Sequence, residues 1–127
     1  MHQTRKDLRA LTRFRSICIA ALLAAGSYVP TIAAAATYTA TVTYVQPPTI
    51  TANCIYFQLT GVTQADSTVV ANNPWFAIPS TQNGFDEIYA MLLSAKLTSG
   101  SLTVTTSGAL AGGTCGNYAG VAVVFMQ

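Results

Sequence analysis

WFAIPSTQNGFDEIYAMLLSAKLTSGSLTVTT, residues 75–106, decides the fold. It opens on a short apolar strand, Trp75 to Ile78, closed by Pro79. Phe85, Ile88, Leu92 and Ala95 then recur at helical spacing and form one apolar face. Asn83 or Ser80 is placed to cap that helix, Asp86 and Glu87 suit its first turn, and Gly100 is placed to stop it. Ser101 to Thr106 alternates with period two and reads as a strand. A strand, a helix and a strand in succession leave open what stands on either side.

Upstream, Thr37 to Val45 alternates cleanly. Thr37, Thr39, Thr41 and Thr43 point one way, and Tyr38, Ala40, Val42 and Tyr44 the other. This is a half-buried strand, ended by Pro47-Pro48. A second strand runs from Cys54 to Val62, with Ile55, Phe57 and Leu59 inward. Downstream, Gly120 to Met126 is apolar on both faces, as in a central strand or one covered by a partner. The order is strand, strand, strand, helix, strand, strand. That order predicts a mainly β domain with one helix, a small OB-fold-like five-stranded barrel with the helix between strands 3 and 4.

The first 36 residues read as an address. Arg5, Lys6, Arg9, Arg13 and Arg15 form a basic region, followed by the apolar run Ile17 to Ala25. Gly26, Ser27 and Pro30 break that run before Ala33-Ala34-Ala35-Ala36, the layout of a secretory signal peptide, with the cut expected after Ala36. The run is about half the roughly 20 apolar residues of a spanning helix, so no membrane span is expected after cleavage. The expected destination is the periplasm or the medium.

Removing 36 of 127 residues leaves a single domain of 91, residues 37–127. Its three acids, Asp66, Asp86 and Glu87, face one base, Lys96, for a side-chain charge of −2. Counterion release on nucleic acid needs several Lys or Arg, so no nucleic-acid partner is expected. Cys54 and Cys115 are the two cysteines left, and an even count in an exported chain reads as a disulfide. No His remains, which removes Ser-His-Asp and Cys-His catalysis. Asp86 and Glu87 are adjacent and point about 100° apart on a helix, so they make no facing pair. Neither a metal site nor a cofactor is expected, and the chain does not read as an enzyme.

What remains for function is a surface of hydroxyls, amides and aromatics. Tyr118, Asn117 and Tyr56 are the candidate ligand-binding residues, with Asn72 and Asn73 in the same palette, while Trp75 beside Phe76 and Ile78 reads as core. Aromatic platforms with neutral hydrogen-bonding groups suit a glycan. Met91, Leu93 and Leu97 spread apolar surface around the helix. That surface fits either burial between a sheet and loops or contact with another subunit.

Trp75, then Phe85-Asp86-Glu87-Ile88 opening a helix, Ala95, and Thr98-Ser99-Gly100-Ser101-Leu102-Thr103-Val104 together resemble the receptor-binding subunits of subtilase-cytotoxin-like bacterial toxins. The resemblance covers residues 75–104. It implies an OB-fold in a ring of five subunits, with helices facing a central pore and glycans of a cell-surface receptor bound outside. None of that family's sugar-binding residues is carried onto a position here. The leading expectation is therefore a secreted, non-catalytic, homo-oligomeric glycan-binding module. The competing one is a structural or interaction protein of the bacterial envelope, such as a pilin-like subunit. A third, an enzyme inhibitor presenting a disulfide-braced loop, has no specific residue behind it.

Overall fold

A computed structural model describes residues 34–127. All but the last three residues of the expected leader lie outside the described residues. The elements are β1 (Thr37–Gln46), β2 (Cys54–Leu59), β3 (Phe76–Pro79), α1 (Phe85–Thr98), β4 (Ser101–Leu110), a 3-10 turn (Gly113–Cys115) and β5 (Ala119–Met126). The domain is thus mainly β with one helix, which lies between β3 and β4 in the chain. No helix among the described residues is long and apolar enough to cross a membrane.

Each strand has two hydrogen-bonded neighbours, in the order β1-β2-β3-β5-β4 and back to β1, so the five-stranded sheet closes on itself. All pairings are antiparallel except β3 with β5, which is parallel. That closure is short, with Phe76 opposite Ala119 and Ala77 opposite Gly120. A Cβ on Gly120 would lie 2.7 Å from Ser107 Oγ and 3.0 Å from Ala109 O. The missing side chain is what lets the end of β4 curl over β5.

The interior is filled by alternate residues of every strand. Ile55 and Phe57 of β2, Phe76 and Ile78 of β3, and Leu102 and Val104 of β4 are fully buried. Each such side chain contributes about 1.5–3 kcal/mol of hydrophobic stabilisation. Phe57 and Phe76 stack at 5.0 Å, and Tyr38 meets Phe76 edge-on at 5.7 Å. α1 packs mainly against β1 and turns the fully buried Leu92 and Ala95 inward, with Phe85, Ile88, Tyr89 and Met91 partly buried beside them. Leu93 and Leu97 remain exposed, Leu97 at 86%.

Several expectations are corrected. Neither Asn83 nor Ser80 caps α1; Gly84 at φ 75° precedes it and no side chain bonds its first turn. Ser80 is committed elsewhere, its hydroxyl accepting from Asn53 Nδ2 at 2.9 Å. The helix ends at Thr98, and the left-handed residue that caps it is Ser99, at φ 53°, immediately before Gly100. β2 stops at Leu59 and β4 continues to Leu110.

Tyr44 does not share a face with Tyr38, Ala40 and Val42. The β1–β2 register shifts between Val42 and Tyr44, so Thr43 is the extra residue of a bulge and Tyr44 turns outward. Trp75 precedes β3 and lies outside the hydrophobic core. With Phe76 and Ile78 inward, a period of two sends it to the outer surface.

Candidate ligand-binding face

β2 buries Ile55, Phe57 and Leu59 and leaves Tyr56 and Gln58 half-buried on the opposite face. That outer face runs onto the neighbouring strands. Gln46 stands opposite Tyr56, and Tyr44 opposite Gln58. Tyr56 faces Ala77 on β3, and continuing that register sets Gln58 opposite Trp75. Tyr44, Gln58 and Trp75 therefore form one cross-strand row, and Gln46, Tyr56 and Ala77 the next.

The bulge at Thr43 and the turn before β3 aim the two large aromatics. Tyr44 and Trp75 meet edge-to-face, ring centroids 5.3 Å apart at 84°. Asn72 takes a left-handed conformation at φ 64°, and Asn73 Oδ1 accepts the Trp75 N–H at 3.1 Å. This Asx turn consumes the Asn73 carbonyl, so that oxygen holds Trp75 in place. Tyr44 remains 46% exposed and Trp75 half-buried.

The other end of the face is built on the disulfide. Cys54 and Cys115 are bonded, with Cα atoms 5.7 Å apart and a sequence separation of 61. Both are fully buried beneath a small satellite cluster of Ala77, Tyr56, Ala111 and Tyr118. Tyr118 lies edge-on to Tyr56, centroids 5.2 Å apart at 72°. The small side chain of Ala77 lies in the same cluster as that ring pair. The Tyr56 hydroxyl donates to Thr114 O at 3.4 Å. Burial, then the neighbouring Tyr118, pushes the Tyr56 phenol above its ordinary value, so it stays a neutral donor.

Two of the three candidates named from the sequence, Tyr56 and Tyr118, are thus brought together over the disulfide. Asn117 is exposed beside them in the connecting loop. Gln46, Gln58 and Tyr44 join the face without standing out in the sequence, and Trp75 belongs to it rather than to the core. The alternation of β2 is signal enough for Gln58, and the inward Phe76 and Ile78 are signal enough for Trp75. Nothing local announces Tyr44, because the bulge exists only against β2.

The assembled face offers four aromatic rings and two side-chain amides, with no charged side chain in either row. Such a surface can stack on apolar faces of a ligand and bond to its hydroxyls. The described residues hold no group of three or more His, Cys, Asp or Glu that could bind a metal ion. The chain matches no protein-family model, no curated protein and no solved structure, so the face is interpreted from its own chemistry.

Proposed function

We propose that this is an exported, non-catalytic binding module of OB-fold type whose outer β2–β3 face takes a neutral glycan. The observation that carries the reading is the row Tyr44–Gln58–Trp75 adjoining Tyr56 and Tyr118. Here rings and amides alternate on one surface without a charge among them. An OB-fold reading is supported by the strand order 1-2-3-5-4 with a parallel 3–5 contact and the helix between strands 3 and 4. Pyranose rings present apolar C–H faces for the aromatics and hydroxyls for the amides. Export is supported by the leader-like N-terminus and by the disulfide.

The resemblance to toxin receptor-binding subunits adds a closed homo-oligomer to this reading. Leu93 and Leu97 on the outer side of α1 are the surface such an oligomer would cover, while Met91 contributes chiefly to packing against the core. The envelope-assembly alternative draws on Val123, Phe125 and Met126, each 46% exposed on β5. Strand exchange of the pilin kind requires an unpaired sheet edge. Every strand among the described residues already has two neighbours, which favours the binding module.

A glycan array probed with labelled, oxidised protein tests the proposal. Selective retention of neutral oligosaccharides, lost in Trp75→Ala, supports it. Retention that is indifferent to Trp75→Ala and Tyr56→Ala would move the site elsewhere. Light scattering coupled to size exclusion reads the oligomer. A discrete mass of five copies supports the ring, a monomer removes it, and a ladder of growing species favours envelope assembly.

A further inference from the structure

The loop between β2 and β3 buries a carboxylate that the binding face does not use. Asp66 is 1% exposed, next to the buried Ala65 and near Val69. Its Oδ1 accepts from the Thr68 N–H at 3.0 Å, the Thr68 hydroxyl at 3.1 Å and the Ser67 hydroxyl at 3.5 Å. Its Oδ2 is buried with no hydrogen-bond partner among the described residues. An orphaned buried carboxylate oxygen is costly, so a donor belongs there.

Thr106 of β4 is fully buried and is among the hydroxyls that act on this carboxylate. Its hydroxyl lies close enough to help lower the Asp66 pKa without closing a hydrogen bond to Oδ2. Burial pushes the Asp66 carboxyl up, but Thr106, Thr68 and Ser67 together bring it below its ordinary value. Tyr38 of β1 is a titratable neighbour of Asp66. Its hydroxyl donates to Gln64 O at 3.1 Å, and burial, then the Asp66 charge, raises its pKa.

The same Thr106 holds the start of the folded domain. The Ala36 N–H donates to Thr106 Oγ1 at 2.8 Å, and the Thr106 N–H donates to Ala36 O at 2.8 Å. Both backbone groups of Ala36 are therefore committed to β4. A hydroxyl carries one proton and two acceptor sites. Thr106 Oγ1 accepts from Ala36, and its own contact to Ala36 O is a long 3.4 Å. Its proton is held only by that long contact.

We propose that the precursor is cut between Ala35 and Ala36, and that the α-ammonium created on Ala36 is the counter-ion of the buried Asp66, the two meeting at the Thr106 hydroxyl. The proposal rests on the leader reading and is independent of the ligand. Ala33 and Ala35 supply the small residues a signal peptidase requires at this bond. Water adds across the Ala35–Ala36 peptide bond: Ala35 leaves as a carboxylate, and the Ala36 nitrogen takes a proton to become an ammonium. The single amide proton is replaced by three ammonium protons. One keeps Thr106 Oγ1, and the others can supply the donor that Oδ2 lacks. A cut after Ala36 would discard the acceptor of the Thr106 N–H. A cut after Ala34 or earlier would carry the charge at least one residue away, about 3.3–3.6 Å of extended chain. Cleavage thereby sets a charge pair into the domain as well as releasing the leader.

The intact mass of the chain exported from a bacterial host, expressed at its full 127 residues, gives the first reading. A product spanning 36–127 is expected; any other first residue overturns the proposal. Thermal unfolding of that product then reads the pair, with its α-amine free or acetylated, in the native sequence and in Asp66→Asn. Acetylation is expected to lower the Tm of the native sequence by several degrees and leave Asp66→Asn unmoved. An equal effect in both, or none in either, overturns the pairing. Should Asp66→Asn fail to fold, the pH dependence of the native sequence decides. The pair raises the folded α-amine pKa above its ordinary value of about 7.7–8.0. Its contribution is complete below that range and lost as pH rises through the raised value. The Tm advantage of the free over the acetylated chain should vanish over that window. An advantage constant with pH overturns the pairing.

Discussion

Phe76 and Trp75 are neighbours with opposite duties. The first is fully buried against Phe57, and the second stands outside against Tyr44. Phe76→Ala is expected to cost about 3–5 kcal/mol, the usual range for emptying an aromatic site in a core. Trp75→Ala should cost about 1 kcal/mol in stability, as for a partly exposed side chain. Urea denaturation of the two variants separates them, and comparable losses would return Trp75 to the core. Asp66 gives a pH signature at the same scale. Its folded pKa is lowered, so its contribution is present above the ordinary carboxylate value. That contribution is lost on acidification below about pH 4, through the lowered folded value. Replacing Asp66 by Asn should flatten the acid limb of a Tm–pH curve, and an unchanged limb would show that Asp66 does not set it. At this scale the inward residues of β2 are legible from alternation alone. Tyr44 is not, because one extra residue at Thr43 reverses the parity of the strand beyond it.

β5 shows how an element's pattern can be read correctly and still be incomplete. Its two apolar faces predict a central or covered strand, and it is central, bonded to β3 on one side and β4 on the other. The register shift between Thr105 and Thr106 then changes which residues point inward. Val121 is buried and Val124 partly so, while Val123 and Phe125 both remain exposed. The same bend depends on Gly120. Gly120→Ala would press a methyl against Ser107 and the Ala109 carbonyl, and overpacking of this kind costs about 1–3 kcal/mol. Chemical denaturation measures it, and a neutral result would mean that β4 and β5 close with slack. The helix is legible in its inner face, since Leu92 and Ala95 stand where 3.6-residue spacing puts them. Its ends are not, because Ser80 bonds Asn53 across 27 residues of sequence instead of capping α1.

Across the whole molecule, the disulfide joins the first residue of β2 to the turn before β5. Closing a loop of 61 residues in sequence restricts the unfolded chain by about 4 kcal/mol. A Cys54→Ala/Cys115→Ala chain is expected to lose stability of that order in urea. A loss below about 1 kcal/mol would show that the closed sheet does not depend on the bridge. The strand and helix order is available from the sequence, as is the cysteine pairing, because only two cysteines come after the leader. The binding face is legible only in pieces. Its residues come from β1, β2, the turn before β3 and the loop before β5, and only the register of the closed sheet makes them neighbours. Trp75 is the single tryptophan of the chain, so its emission reports directly on this face. The most direct measurement is a fluorescence titration of the oxidised, processed protein with a panel of neutral oligosaccharides. A glycan-binding face predicts a saturable change in Trp75 emission with at least one of them, weakened at least tenfold by Tyr44→Ala. Emission unmoved across the panel to millimolar concentration would contradict it.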